Sequence, residues 1–253
     1  MFDSGLEPRD FACLVLKNVD YDSQLRAIRE LLNVHQKIAR TRSLKIAEIE
    51  KEIPKRRGID RINAEHDRTD LCHESVYEDA AHSMAAIGML APFIETVFSQ
   101  VFESIKQKYE GKVLPAPDHS RWTAEEAKRW NCRWYYSKTK GAMENDVTQG
   151  ILELSCVTGL NSYLPTELRP ILKALFGYRN NMLHNGFEWP LDARNKFHKR
   201  TKREWPEEWF SWARSGDAPW VCYMTDALIN ESLVYIDQIL SGIGHFFTEK
   251  LEG

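Results

Sequence analysis

The sequence predicts an all-α protein: an antiparallel helical bundle with a long N-terminal helix and a Trp-rich insert before the last helix. Two observations support this fold class. Apolar residues recur every three or four positions over most of the chain, which is the period of an amphipathic helix. Alternation of apolar and polar residues, which would indicate strands, never extends beyond a few residues, and no internal repeat is found.

The composition is that of a folded soluble protein, with 43% hydrophobic and 28% charged residues. The net charge of −3 gives no global signature of nucleic-acid binding, so any such binding requires a local patch. The 5 cysteines are scattered and form no C-x-x-C pair, which indicates reduced thiols. The charged residues near the N-terminus argue against a signal peptide, and no uncharged run is long enough for a membrane span. We therefore expect a cytoplasmic protein without membrane contact.

The first part of the chain is predicted to hold one long helix. Residues 1–19 are expected to be irregular, with an apolar patch, Phe11 to Leu16, that packs as an arm. Apolar spacing predicts an amphipathic helix from Tyr21 to Ile53, which Pro54 ends. The basic turn that follows, Lys55 to Gly58, is either a solvated loop or a phosphate contact.

The longest helical pattern runs from Asp67 to Glu110 and is interrupted by Pro92. Proline inside a helix costs around 3 kcal/mol and kinks the axis, so we expect one bent helix or two abutting ones. Its wide apolar stripe indicates a bundle core rather than a dimer coil. We therefore divide the chain into an N-terminal arm and helix, 1–66, and a helical bundle, 67–253, unless 1–253 is one continuous domain.

The remaining elements are predicted to be helices joined by short connectors. A Pro-rich connector at 111–122 leads to a short aromatic helix from Thr123 to Tyr136, which ends before Gly141. Further helices are expected over Asn145 to Leu160, from Thr166 into the segment described next, over the basic residues 191–204, and from Thr225 to Leu251.

Five tryptophans crowd the insert before the last helix. Such dense aromatic residues usually pack a loop-rich segment onto a bundle, and base stacking on one or two of them is the alternative. They are Trp189, Trp205, Trp209, Trp212 and Trp220.

The segment from Tyr178 to Gly186 gathers three polar side chains at one helix end. Arg179 lies within roughly 40° of Leu175 on the helical wheel, on the arc that should be buried. Burial of a guanidinium is unfavourable unless the group pairs with a carboxylate or takes part in a functional site. Asn180 and His184 are four residues apart, so they share a face. We interpret Arg179, Asn180 and His184 as a candidate catalytic group; the alternative is a salt bridge, a surface amide and a helix-terminal histidine.

The end of this helix is also marked in the sequence. Gly186 lies at the position where a residue in the left-handed backbone conformation commonly ends a helix, and Trp189-Pro190 follows. His184 therefore lies in the last turn, where the helix dipole favours the imidazolium form.

The sequence Arg179-Asn180-x-x-x-His184 resembles the Arg-x(4–6)-His signature of the HEPN superfamily (higher eukaryotes and prokaryotes nucleotide-binding domains), in which a polar residue, often Asn, commonly follows the Arg. The resemblance covers about residues 67–250, through this motif and the helical layout. It implies a HEPN-like helical bundle, two-fold dimers and, in many members, metal-independent RNA cleavage in toxin–antitoxin, abortive-infection or RNA-processing settings. Other members have lost catalysis and only bind. An antitoxin or another regulatory protein is an implied partner.

The chemistry of the three residues suits RNA cleavage. Attack of a 2′-hydroxyl on the adjacent phosphorus needs a base, an acid and positive charge at the phosphorus. Arg179 matches phosphate oxygens, His184 transfers a proton near neutral pH, and Asn180 orients the imidazole or holds a phosphate oxygen. Since one chain has one such histidine, a two-fold homodimer would supply both acid and base.

The basic segment 191–204 directly follows the motif, and its cations would contact the RNA backbone beside the imidazole. The alternative is a solvated helix face. The candidate nucleic-acid-binding residues are Lys196, Lys199, Arg200 and Arg203.

Two other functions stay open at this stage. One is a catalytically inactive module that binds RNA, a nucleotide or a partner protein. The other is a purely structural protein in which Arg179 is buried against Asp146 or Glu153.

No cofactor is expected, because the chain has no Gly-rich phosphate loop, H-E-x-x-H or G-x-S-x-G motif. The spacings of His66, Cys72, His73 and His82 fit neither a zinc finger nor a helical metalloenzyme pair, so no metal is expected.

Overall fold

A computed structural model of the chain describes residues 6–16 and 19–251, and it is mainly helical over these ranges. The predicted all-α class is therefore confirmed in its main feature, although two short hairpins are also present. The chain forms two compact units. Unit 1 contains Met89–Gly177 with both ends of the chain, up to Gln24 and from Glu231, and unit 2 contains Leu25–Gly88 with Tyr178–Asn230.

The described residues contain these α-helices: α1 (Pro8–Val15), α2 (Tyr21–Glu52), α3 (Gly58–Lys108), α4 (Glu126–Arg129), α5 (Val147–Thr158), α6 (Leu168–Asn185), α7 (Leu191–Glu204) and α8 (Asp226–Phe246). A π-helical turn, Phe247–Leu251, follows α8. Helices α2, α5, α7 and α8 agree with the predicted helices to within two or three residues, apart from that last turn. Periodic apolar spacing was sufficient to locate them.

Two predictions for the N-terminal half are corrected. The patch expected to be irregular forms α1, which starts at Pro8, a residue that is well suited to the first helical turn. The helix α3 begins at Gly58 rather than at Asp67 and continues through Pro92 as one helix. The residues 1–5 and 17–18 of the predicted irregular segment lie outside the described residues.

The predicted aromatic helix from Thr123 to Tyr136 is wrong. Only α4 is helical there, and an antiparallel hairpin follows, formed by β1 (Trp134–Ser137) and β2 (Ala142–Asn145). Aromatic residues favour strands as well as buried helices. Gly141, with a φ of 64°, provides the left-handed residue of the turn.

A second hairpin lies in the Trp-rich insert of unit 2. It pairs β3 (Phe210–Ser215) with β4 (Ala218–Met224) in antiparallel register, with an irregularity between Trp212 and Arg214. The insert is thus an ordered two-stranded element between α7 and α8, where the sequence had indicated a loop-rich segment.

A fully buried arginine organises the hairpin region of unit 1. The side chain of Arg121 is 0% exposed, and its guanidinium pairs with Glu153 of α5. It also donates to four backbone carbonyl oxygens, those of Lys128, Arg129, Asn131 and Trp134. The five N–H donors of one guanidinium thus connect α4, the start of β1 and α5.

The helix α5 packs very closely against this region at Gly150. A Cβ atom at this position would lie 2.0 Å from the carbonyl oxygen of Cys132. Glycine therefore permits a helix-to-backbone contact that any side chain would prevent.

Among the described residues, α3 is long and apolar enough to cross a membrane by length and composition. Of its most apolar stretch, 56% is buried inside the protein, and the core helix of a soluble protein passes the same test. This feature is weak evidence for a membrane span.

We predict that Arg121→Met strongly destabilises the fold. The change removes the guanidinium that pairs with the Glu153 carboxylate and the donors to four carbonyl groups. Breaking a buried ion pair in this way costs roughly 3–5 kcal/mol. Urea denaturation followed by circular dichroism measures the change in the free energy of unfolding.

Arg133→Met is the matched control, because the Arg133 side chain pairs with Glu95 but is 64% exposed. It should cost less than about 1 kcal/mol. Arg121→Lys keeps the charge and should fall between the two variants, which gives a measurable result even if Arg121→Met does not fold. If Arg121→Lys and Arg133→Met lost the same free energy of unfolding, the structural role assigned to Arg121 would be contradicted.

Candidate functional site

The last two turns of α6 are held by buried residues on one side. Tyr178 and Met182 are 0% and 1% exposed. At about 100° per residue, Asn180 and His184 project to the opposite side of the helix from Tyr178, and Arg179 lies between the two sides. The structure agrees with this geometry, because Asn180 and His184 are exposed and Arg179 is half-buried.

Tyr178 sets the orientation of this helix end. Its hydroxyl donates a hydrogen bond to the carbonyl oxygen of Cys222 in β4, at 3.0 Å. Its ring contacts Trp189, Phe197 and Phe210, with centroid distances of 5.8, 6.2 and 5.6 Å. Burial raises the pKa of Tyr178 well above its ordinary value, so the hydroxyl stays protonated and keeps donating.

Arg179 and Asn180 are in direct contact. The Nε and Nη2 atoms of Arg179 lie 3.4 and 3.3 Å from the Oδ1 atom of Asn180. Because a guanidinium only donates, it must face the amide oxygen, which leaves the Asn180 amide nitrogen directed elsewhere. Since Asn180 and His184 are one turn apart, the amide lies between the guanidinium and the imidazole along the helix surface.

The helix ends as the sequence indicated. Gly186 has a φ of 68°, and its N–H donates to the carbonyl oxygen of Met182 at 2.9 Å. The carbonyl oxygen of Gly186 then accepts from the indole nitrogen of Trp189 at 2.9 Å. The turn after His184 is therefore held by the same aromatic residues that hold Tyr178.

The exposure of Arg179 and His184 and the contacts of two carboxylates bear on the purely structural alternative. Arg179 is half-buried rather than enclosed, and His184 is exposed. Glu153, one of the two proposed carboxylate partners, pairs with Arg121 instead. The carboxylate of Asp146, the other one, accepts from the backbone N–H of Gln149 at the start of α5.

The predicted RNA-contacting cations of α7 fall into two groups. Lys196 and Lys199 are exposed. Arg200 and Arg203 both contact Glu204, at 2.8 and 2.6 Å. The guanidinium of Arg200 also lies 4.6 Å from the ring centre of Trp205. The positive charge of this helix is thus partly neutralised at its C-terminal end.

A second group of polar residues, which the sequence analysis did not identify, surrounds a cavity of about 290 Å³ in unit 2. We call it the histidine pocket. The rings of His35 and His82 contact each other in it with a centroid distance of 4.8 Å and an interplanar angle of 32°. Its other polar lining residues include Arg42, Glu78, Asp79 and Asp226, and Arg42 pairs with Glu78.

Two groups of the histidine pocket, His82 and Asp79, lie in surroundings that disfavour their charged forms. Burial, followed by the neighbouring His35, lowers the pKa of His82, although Asp226 opposes the shift. Burial raises the pKa of Asp79. Neither ring nitrogen of His82 has a hydrogen-bond partner among the described residues. The signal in the sequence was only a Glu-Asp-x-x-His spacing on one helix, and the pairing with His35 depends on tertiary structure.

The residues weighed as zinc ligands are held in separate contacts. The ring of His73 packs on Trp220, with centroids 5.0 Å apart, whereas His82 packs on His35. Over the described ranges, no group of three or more His, Cys, Asp or Glu side chains is placed to hold a metal ion.

Comparisons with known proteins add no relative to this description: no family model, curated protein or solved structure matches the chain.

We predict that His82 makes folding stability depend on pH. Because the pKa of His82 is lowered in the folded state, the unfolded chain binds a proton first as the pH falls. As the pH falls below the ordinary pKa of 6.5, protonation of the unfolded chain destabilises the fold progressively. The destabilisation reaches its full size once the pH is below the lowered pKa of the folded state. The free energy of unfolding of His82→Phe should therefore decrease less than that of the wild type between about pH 7.5 and pH 5, as urea denaturation measures.

At neutral pH, His82→Phe should differ from the wild type by no more than about 1 kcal/mol, because it removes two buried unpaired nitrogens. His66→Phe, at an exposed histidine, is the control and should keep the wild-type pH dependence. The opposing titration of Asp79 is common to all three proteins, so it cancels in the comparison. Parallel pH profiles for the wild type and His82→Phe would refute the assignment.

Proposed function

We propose that this protein is a metal-independent endoribonuclease of the HEPN type, whose active site is completed by a homodimer. The observation that supports the proposal most directly is the arrangement at the end of α6. Arg179 contacts Asn180, and Asn180 and His184 share an exposed face. The fold supplies the buried residues that hold this face, and it leaves Asn180 and His184 exposed beside the half-buried Arg179.

The proposed reaction is an internal transesterification of RNA. The 2′-oxygen attacks the adjacent phosphorus while a base removes its proton, and the bond from phosphorus to the 5′-oxygen breaks as an acid protonates that oxygen. The products are a 2′,3′-cyclic phosphate and a 5′-hydroxyl, so water, oxidants and metal ions are not consumed. Negative charge on the phosphorane oxygens must be stabilised throughout.

Each residue of the site has a role in this reaction. The planar guanidinium of Arg179 matches two phosphate oxygens and stabilises their charge. His184 transfers protons, since an imidazole can both accept and donate a proton through its ring nitrogens. Asn180 accepts from Arg179 through its oxygen, so its amide N–H group is available to a phosphate oxygen or to the imidazole.

The homodimer follows from the need for two proton-transferring groups. A two-fold axis beside α6 would place a second His184 opposite the first, one as base and one as acid. Leu183, adjacent to His184, is 68% exposed, and an apolar side chain on this face is suited to a protein contact. The exposed Lys196 and Lys199 of α7 would bind the RNA backbone.

We predict that the purified protein cleaves single-stranded RNA in the presence of EDTA. His184→Ala and Arg179→Ala should each reduce the cleavage rate by roughly 100-fold or more, because one loses proton transfer and the other loses charge stabilisation. A discontinuous assay with end-labelled RNA measures the rate and identifies the cyclic phosphate.

His66→Ala, at an exposed histidine of α3, is the matched control and should cleave at the wild-type rate. Loss of cleavage on chelation would overturn the proposed mechanism, as would unchanged rates in both site variants. Saturable RNA binding without product would also overturn it and would support the catalytically inactive binding module instead.

We predict that the protein is a dimer at the concentrations at which it cleaves RNA. Sedimentation equilibrium measures the mass directly. Leu183→Lys places a charge on the exposed apolar position and should weaken both dimerisation and cleavage, whereas Val113→Lys, at a residue that is 77% exposed in unit 1, should affect neither. A monomer with full cleavage activity would contradict the shared site.

A further inference from the structure

An aromatic cavity of about 350 Å³ lies at the C-terminal end of the basic helix α7. We call it the tryptophan pocket. Its lining includes His198, Thr201, Lys202, Trp205, Phe210 and Trp212. The volume lies within the range of roughly 300–1,000 Å³ that is usual for small-ligand sites. The residues Arg179, Asn180 and His184 are not part of this lining, so the pocket is separate from the proposed catalytic group.

The walls of the tryptophan pocket are mainly aromatic rings that pack on one another. The rings of Trp205 and Phe210 have centroids 5.4 Å apart, and those of His198 and Trp212 are 5.1 Å apart and nearly perpendicular. Phe197, which is buried behind them, contacts Trp205 at 5.6 Å. These rings pack on one another and line the cavity, so a planar ligand that enters it would have an aromatic environment.

Two polar atoms of the lining residues have no hydrogen-bond partner among the described residues. They are the indole nitrogen of Trp212 and the Nδ1 atom of His198, and both are buried. A buried tryptophan N–H usually has a partner, and leaving such groups unpaired is unfavourable. Because both atoms are covered, a ligand would reach them after a side-chain rearrangement, which is common on binding. These two unpaired nitrogens favour a ligand with polar edges over a purely apolar one.

Two cations lie at the His198 side of the tryptophan pocket. Lys202 belongs to the lining, and Lys202 and Arg214 both act electrostatically on His198. Burial is the main cause of the lowered pKa of His198, and these two cations add to it, so the imidazole favours its neutral form. The acidic Glu207 also lines the cavity, and Glu204 is engaged by Arg200 and Arg203. A planar group attached to a phosphate would meet stacking surfaces and cations together.

From these features we propose that the tryptophan pocket binds one unstacked base of a single-stranded RNA. The base stacks on the aromatic wall and accepts from the indole N–H of Trp212, and its phosphate contacts Lys202. The inference rests on the proposed function in its choice of RNA as the ligand. It assigns the Trp-rich insert a binding role, which would hold the substrate strand at a second point along α7.

The first test records the indole N–H signals of the ¹⁵N-labelled wild-type protein, which has 8 tryptophans, by nuclear magnetic resonance. Adenosine 5′-monophosphate and uridine 5′-monophosphate are added as probes, and inorganic phosphate is the control. The signal of Trp212 should shift saturably with the nucleotides and not with phosphate. Trp220, on β4 and packed against His73 and Tyr77, should not shift. An unmoved Trp212 signal, or equal shifts with phosphate, would overturn the proposal.

The second test measures binding of a fluorescently labelled, 12-nucleotide RNA with 2′-O-methyl sugars, which cannot undergo the transesterification. Trp212→Phe keeps an aromatic wall but removes the indole N–H, and the Kd should rise about tenfold. Trp220→Phe is the matched control and should leave the Kd unchanged. Equal Kd values for the two variants would contradict the assignment.

These tests are independent of catalysis, because neither uses a cleavable substrate. If RNA is cleaved but the Trp212 signal does not respond, the tryptophan pocket proposal fails and the ribonuclease proposal stands. If nucleotides bind at Trp212 and no RNA is cleaved, the ribonuclease proposal fails and the pocket stands.

Discussion

The hydrogen bond from the hydroxyl of Tyr178 to the carbonyl oxygen of Cys222, inside a cluster of aromatic rings, is the contact on which the orientation of the candidate site depends. It joins the end of α6 to β4, and the same ring packs on Phe197 of α7 and Phe210 of β3. Because Tyr178 is fully buried, the helix cannot rotate without exposing a large apolar ring and an unpaired hydroxyl. The outward direction of Asn180 and His184 is a consequence of this constraint.

The long helices could be predicted because each of them repeats the same apolar spacing many times. The hairpins could not, since Trp134–Ser137 is too short to display a period and its aromatic residues suit either structure. Arg121 illustrates a different limit. Its sequence neighbourhood contains ordinary loop residues, and only the fold brings Glu153 and the four carbonyl groups around it. The burial of a charged residue is decided by tertiary contacts that local patterns do not contain.

The candidate site likewise has some features that local sequence predicts and others that depend on tertiary contacts. The helix stop at Gly186 and the shared face of Asn180 and His184 follow from local spacing, and the structure contains both. The pairing of Arg200 with Glu204 could also be predicted from the sequence, because the two residues are four apart on one helix. The histidine pocket and the tryptophan pocket could not be predicted from local sequence, since each combines side chains from helices and from the second hairpin.

The contrast between the two sides of α6 bears on why these polar residues are present. Tyr178 and Met182 account for the packing of the helix end, and replacing either would expose or remove buried apolar surface. Asn180 and His184 are exposed, and surface substitutions of this kind usually change stability by no more than about 0.5 kcal/mol. Folding therefore places no strong demand on their identity. An amide and an imidazole next to a guanidinium are groups that suit a phosphate ligand, which is what the proposed ribonuclease function requires of this face.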